Sequence, residues 1–351
     1  MLKIRKIGET TVGPFPIWPP VRRFNWEDEQ ELRYWLRLDD EALDRRLMML
    51  SSEDPEKHAE TVVRHLATIY AQYYGYDDAP VHAGTDLATE ARLVYLKLVF
   101  EREMVRHVFG FTPPDTSGFE HDQSAAADYL EHLSLNNPGV DHPFFDFVAT
   151  EMNENSMREF LWLEVIRNEV VDDEVAMMVP GLQHAMKQVV ASNLWDECGN
   201  GKIDDFHTTW LVRLLSYEDY WPKFTAYRLT RPWFSMCTSN SFNVFLTGSG
   251  RHYASYGTFL INESWVYAHF LKTIEGMNRL GMLDKDRRIY FEAHAKIDPH
   301  HASEMIAGIR NQRPPLRVRQ IRDLAAGAHQ AVCAGSVMYD RLLAYFRQKQ
   351  A

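Results

Sequence analysis

Cysteine is scarce in this chain: Cys198, Cys237 and Cys333 are the only three, and no two form a C-x-x-C pair. That excludes a disulfide framework and a thiolate zinc site, and it makes a reducing cytoplasm the expected compartment. No run of 18 apolar residues occurs, and Met1 to Pro20 has no apolar core followed by a cleavage site. Neither a membrane span nor secretion is expected. The phosphate-cradling patterns G-x-G-x-x-G and G-x-x-x-x-G-K-[ST] are missing, and β-branched alternation is scarce. An excess of positive charge is lacking too. The net charge of −11 repels phosphate backbones at long range, and the Arg-rich stretch from Arg310 to Arg322 is too local to reverse that. Nucleic acid is therefore not an expected partner, although that stretch could hold an anionic substrate or product.

What is present is a large apolar fraction, 45% of 351 residues, enough for a packed interior in two helical units. The first 40 residues carry Pro14, Pro16, Pro19 and Pro20 and read as an arm lying over another surface. Helical spacing begins at Glu60 to Tyr73. From Leu87 to Phe109 the apolar set is broader than one stripe, as for a helix in a dimer interface or at a bundle centre. Residues 111–142 break the pattern with Pro113, Pro114, Gly118, Pro138 and Gly139 around a short helix near Ala125 to Leu133. The expected division is an arm and helical dimerisation region over 1–135 and a second domain over 136–351. In the second, helices are predicted over Phe144 to Val170, Val175 to Val190, Trp195 to Leu215, Trp221 to Leu229, Ser241 to Leu246, Ser255 to Leu280, Lys285 to Ile309 and Val318 to Phe346. The class is all-α.

Three stretches could do chemistry. His294, Asp298 and His301 are spaced by four and three, which keeps them within roughly 60° on one helix face, so two imidazoles and a carboxylate can converge on a metal. An exposed polar face with Asp298 pairing its neighbours is the plainer alternative. Glu197, Asp204 and His207 also share a face if a helix runs through Gly199 and Gly201. Those glycines cost about 1 kcal/mol each in a helix interior, so a loop with Glu197 ending one helix and His207 capping the next is the alternative. Glu263 stands alone in an apolar helix, where a carboxylate must be neutral, paired, metal-bound or exposed. Together these supply oxygen and nitrogen ligands without thiolate, suited to non-haem iron with manganese as competitor. Seven candidates are too many for one catalytic zinc and fit two irons with a bridging carboxylate. No E-x-x-H pair and no H-E-x-x-H occurs, which removes the ferritin-like and common zinc-hydrolase patterns.

On these residues the chain resembles the haem-oxygenase-like di-iron oxidases and oxygenases. The stretch Asp196-Glu-Cys-Gly-Asn-Gly followed by His207, then Glu263, then H-x-x-x-D-x-x-H from His294, matches that family in order and rough spacing over about residues 142 to 348. The resemblance implies a seven-helix haem-oxygenase-like core. It implies one iron held by Glu197, His207 and His301, the other by His294 and Asp298, with Glu263 shared. The ten-residue step from Glu197 to His207 is similar to the N-oxygenase branch, in which Asp204 would be an additional ligand. Pro299 is a departure that should kink the helix after Asp298.

The resemblance further implies an O₂-activating enzyme with two irons per chain and an external electron donor, a reductase or chemical reductant. It would work through a peroxo-diferric species to make hydroxylamines or nitro groups from an amine or guanidine. Glu197, Glu263 and His294 would be its catalytic residues, and a homodimer its assembly. Oxidative C–C cleavage or desaturation of an amino or fatty acid is the nearest alternative, and a metal-free helical binding protein on the same scaffold is the rival from another class. Tyr267, Arg251 and Arg310 are candidate substrate contacts.

Overall fold

The computed structural model of the chain describes residues 26–74, 86–215 and 220–351, and the side chains of all of these except 26–28, 220–222, 298 and 299. Its helices in chain order are α1 (Trp26–Arg37), α2 (Asp40–Glu53), α3 (Pro55–Tyr70), α4 (Leu87–Glu103), α5 (Gln123–Leu135), α6 (Pro143–Thr150), α7 (Glu154–Asn168) and α8 (Val171–Met178). There follow α9 (His184–Glu197), α10 (His207–Leu215), α11 (Tyr220–Thr230), α12 (Cys237–Leu246), α13 (His252–Arg279), α14 (Lys285–Arg310) and α15 (Val318–Gln350). No strand occurs among the described residues. The all-α expectation holds.

Local chemistry sets many of the boundaries. Asp39, Asp54, Asp86, Asp122, Asn153 and Asp284 each accept from a backbone N–H in the first turn of the helix they precede. Pro55 and Pro143 sit in first turns, where their missing N–H costs nothing. The single helix expected over Phe144 to Val170 is two, because the chain breaks before the Asn153 cap, and Val175 to Val190 breaks likewise around Gly181 (φ 87°). The proline-rich arm is corrected where the structure describes it. From Trp26 on the chain is helical, and Leu32 and Trp35 are buried in the core. The prolines of the arm lie outside the described residues.

The central element is α13. It packs against α5, α6, α12, α14 and α15, and its residues 253–261 are buried on every side. The crossing with α15 is close enough to demand two glycines. A Cβ on Gly257 would strike the Leu324 carbonyl oxygen, and one on Gly327 would strike that of Ala254. Gly327→Ala should therefore cost about 1–3 kcal/mol through overpacking of backbone against backbone. A denaturant midpoint unchanged from wild type would show that the two helices are free to separate.

One cluster of buried apolar residues runs from Leu32 through Phe346, so both of the expected units share a core. On α4, Leu93, Leu96 and Phe100 are buried, while Leu87, Val94 and Leu98 face outward. The breadth of that apolar pattern has its inner half explained by α1 and α3. No described helix is long and apolar enough to cross a membrane.

Candidate metal centre

The end of α9 decides the geometry. Glu197 is its last residue, and the chain then passes through Gly199 (φ 57°), Asn200 (φ 54°) and Gly201 (φ 82°), a left-handed run that no right-handed helix survives. Position 199 needs glycine twice over, for its dihedral and because a Cβ would strike the Asp205 backbone. This corrects the continuous helix expected over Trp195 to Leu215 and agrees with the alternative of a loop between two helices, the first ending at Glu197. The loop nevertheless does what the helix was expected to do. It folds back so tightly that α10 opens at His207, whose Nδ1 lies 2.7 Å from Glu197 Oε2.

His294 arrives from α14. Its Nδ1 donates to the Tyr290 carbonyl at 2.7 Å, which fixes the tautomer and leaves Nε2 with its lone pair. Its ring meets that of His207 at 4.4 Å between centroids, edge to face, and Tyr290, Phe270 and Trp210 close around it. Trp210 in turn stacks on His207. Glu197, His207 and His294 are all buried, and their ligand atoms lie within 4.8 Å of one another.

A second group lies alongside. His301, on α14, sets Nδ1 at 3.1 Å from Glu263 Oε2 of α13 and Nε2 at 3.2 Å from Asp196 Oδ2 of α9. Asn200 holds the other oxygen of Asp196 at 2.7 Å. The resemblance put His301 with Glu197 and His207. In the structure His294 takes that place, and His301 turns to Glu263 and Asp196.

Asp204 is not brought to either group. Its carboxylate is exposed and 3.3 Å from Arg213, while its carbonyl accepts from the Trp210 indole. That is a correction to the seven-ligand set, and its cause is the loop, which turns position 204 outward. The Asp298 side chain lies outside the described residues. The helix that carries it runs from Lys285 to Arg310, as expected to within a residue. Asp196 is a carboxylate that the spacing argument passed over, since on a continuing helix it would diverge by 100° from Glu197. At a helix end both can reach the same side.

Electrostatics separate the roles. Burial pushes the Glu197 carboxyl up, but the facing His207, with His294 and His301 behind it, more than offsets this and holds it below the usual carboxylate range. His207 is held above its ordinary value, because attraction to Glu197 exceeds the penalty of burial. His294 is driven down to about 3, first by burial and then by His207, so it is a neutral imidazole at neutral pH.

The donor set fits a metal. Glu197 Oε2 and His207 Nδ1 are sealed from solvent and face each other at 2.7 Å without the alignment of a hydrogen bond. A carboxylate and an imidazole so placed can pair directly or serve as two ligands of one cation. A carboxylate with two imidazoles and no thiolate is the set preferred by non-haem ferrous iron.

Residues 158–336, just over half of the chain, match the model of a haem-oxygenase-like family of iron-containing redox enzymes. The chain belongs to that family. The matched stretch contains Glu197, Asp204, His207, Glu263, His294, Asp298 and His301, and it begins inside α7, so α1 to α6 lie outside it. Membership in a family of iron-containing redox enzymes makes this an oxidoreductase chain and implies iron, and the buried Glu197, His207 and His294 group could hold a metal ion. A search of curated proteins gave no match.

Candidate substrate contacts fare unequally. Tyr267 lines a cleft at Glu263. Arg251 is engaged by Glu101 and the Val244 carbonyl, and Arg310 by Asp128 and Glu131. Arg322 is likewise taken by Glu120, and Arg319 lies 3.9 Å from Asp323.

Proposed function

We propose that this chain is a non-haem di-iron oxygenase that places oxygen from O₂ on the nitrogen of an amine or guanidine, giving a hydroxylamine or nitro product. One observation carries the reading: the buried convergence of Glu197, His207 and His294 beside a second carboxylate–imidazole group formed by Glu263, His301 and Asp196. The first group would hold one iron. Glu263 and His301, with Asp298 as a further proposed ligand, would hold the other.

Bound iron would supply the electron transfer that O₂ activation needs, recharged by an external reductase or chemical reductant. The protein's own share is positional. The Tyr290 carbonyl presents Nε2 of His294, and Asp196 and Glu263 clamp the His301 ring between them. Phe270, Tyr290 and Trp210 keep bulk water from the imidazoles. A cleft of about 280 Å³ between α5, α13 and α14 reaches Glu263, with Leu135 and Tyr267 on its walls and Ser264 and Ser303 offering hydroxyls. Its mainly apolar lining with few polar groups suits a small organic amine. Three free cysteines agree with a cytoplasmic setting, and the outward Leu87, Val94 and Leu98 of α4 would pair two copies as a homodimer.

Protein reconstituted with ferrous iron should bind two irons per chain and consume O₂ when given its amine. Mass spectrometry should then find added oxygen on nitrogen. Olefin and lost carbon would identify cleavage or desaturation instead, and a chain with neither iron nor O₂ uptake would be a binding protein.

A further inference from the structure

The buried residues of α9 form a single stripe, Met186, Val190, Asn193 and Glu197, at steps of four, three and four. That spacing is one helix face. The face is turned to α14: the Met186 backbone donates to Gln312 Oε1, Val189 and Met186 lie against Gly308, and Asp196 reaches His301. Asn193 therefore sits one turn before Glu197, between the Gly308 and His301 levels of α14. It is 1% exposed, and neither Oδ1 nor Nδ2 has a hydrogen-bond partner among the described residues.

Such an amide is costly to a fold, because both groups surrender water and receive nothing. Other deeply buried amides of this chain avoid the cost. Asn240 donates to the Val63 carbonyl, Asn243 bonds both Ser239 and Tyr74, and Gln330 donates to Ser241. A leucine would complete the seam of Met186 and Val190 without penalty. A wholly unmade amide in that stripe, one turn from a candidate ligand, has the placement of a group kept for the site.

We infer that Asn193 is a positioning residue of the metal centre, whose side-chain amide hydrogen-bonds the water that a divalent ion carries into the group of Glu197, His207 and His294. The inference rests on the metal reading above. Its chemistry is that of outer-sphere partners, which orient what the ion holds and without which affinity commonly falls ten- to hundredfold.

Metal-free wild type, Asn193→Leu and Asn193→Asp should be compared by thermal unfolding and by titration with Co(II), monitored through its visible absorption. Asn193→Leu should raise the metal-free unfolding midpoint by ~2–5 °C, since it removes two unmade hydrogen bonds. It should also weaken Co(II) binding at least about tenfold. Asn193→Asp should lower the metal-free midpoint and bind Co(II) more tightly than wild type, as a carboxylate facing the ion must. A structural asparagine gives the reverse pattern: Asn193→Leu melts lower and both variants bind Co(II) like wild type, and that result overturns the inference. Should Asn193→Leu fail to fold, unchanged Co(II) affinity in Asn193→Asp overturns it alone. Wild type that binds no Co(II) defeats the metal reading itself, and the inference with it.

Discussion

Replacing Glu197 with alanine should abolish tight iron binding at the first group and reduce iron-dependent O₂ uptake by more than about a hundredfold, beyond what loss of an outer-sphere partner costs. The carboxylate is the only acid within the Glu197, His207 and His294 set, and it is the charge that faces His207. Without it two imidazoles remain, one of them already neutral. On the proposed di-iron reading, iron per chain, determined by elemental analysis after anaerobic loading and gel filtration, should fall from two to one or none. His294→Ala should do the same, whereas Asp204→Ala should leave the iron content at the wild-type value, because that carboxylate points to Arg213 and solvent. A Glu197→Ala protein that retained two irons would place the metal elsewhere.

Acid should destabilise the metal-free protein sharply, but only below about pH 4.5. Four buried groups set the profile. Burial drives His294 and His269 down to about 3, so between about pH 6.5 and 3 the unfolded chain takes up two protons that the folded chain refuses. Burial drives Glu164 and Glu174 up to about 7, so between about pH 7 and 4.5 the folded chain holds two protons that the unfolded chain has released. The two effects oppose each other and nearly cancel from pH 6.5 to 4.5. Below 4.5 the glutamates are protonated in both states and only the histidine effect survives. Stability should then fall by about 4 kcal/mol down to pH 3, from two protons over about one and a half pH units. Glu120, which its hydrogen bonds to Arg322 and Thr116 hold down to about 2, adds a loss in the same direction. His207 acts in the opposite sense at the other end: raised by Glu197, it stabilises below its ordinary value and loses that effect as pH rises through the folded one. Denaturant midpoints from pH 7 to 3 check the shape. In Glu164→Gln,Glu174→Gln the decline should begin near pH 6.5, and a decline beginning at 4.5 in that variant contradicts the assignment.

The long helices α13, α14 and α15 were legible in the sequence to within a few residues, because each is a long periodic run ended by recognisable signals such as Gly281 and the Asp284 cap. The candidate stretches were legible as well: Glu197, His207 and His294 come together in one buried group, and His301 lies against Glu263 and Asp196. Their partnering was not. Periodicity treats 195–215 as one helix, and only the three left-handed residues at 199–201 reveal that position 204 is thrown outward while 207 returns. Asp196 was missed for the same reason, as a helix wheel separates it from Glu197. Which imidazole joins which carboxylate depends on how α9 and α14 are seated across each other, through Gly308 and the Gln312 amide, and no local pattern encodes that.

The segment joining α5 to α6 was expected to be a boundary, yet it is fastened to α13. The Trp265 indole donates to Asn137 Oδ1, His269 Nε2 bonds the Gly139 carbonyl, and the Trp265 ring occupies the space a side chain at 139 would need. Those two anchors lie on the helix that carries Glu263, within two turns of it. A connector bolted down at that spot ties the N-terminal helices to the rod that carries a proposed iron ligand.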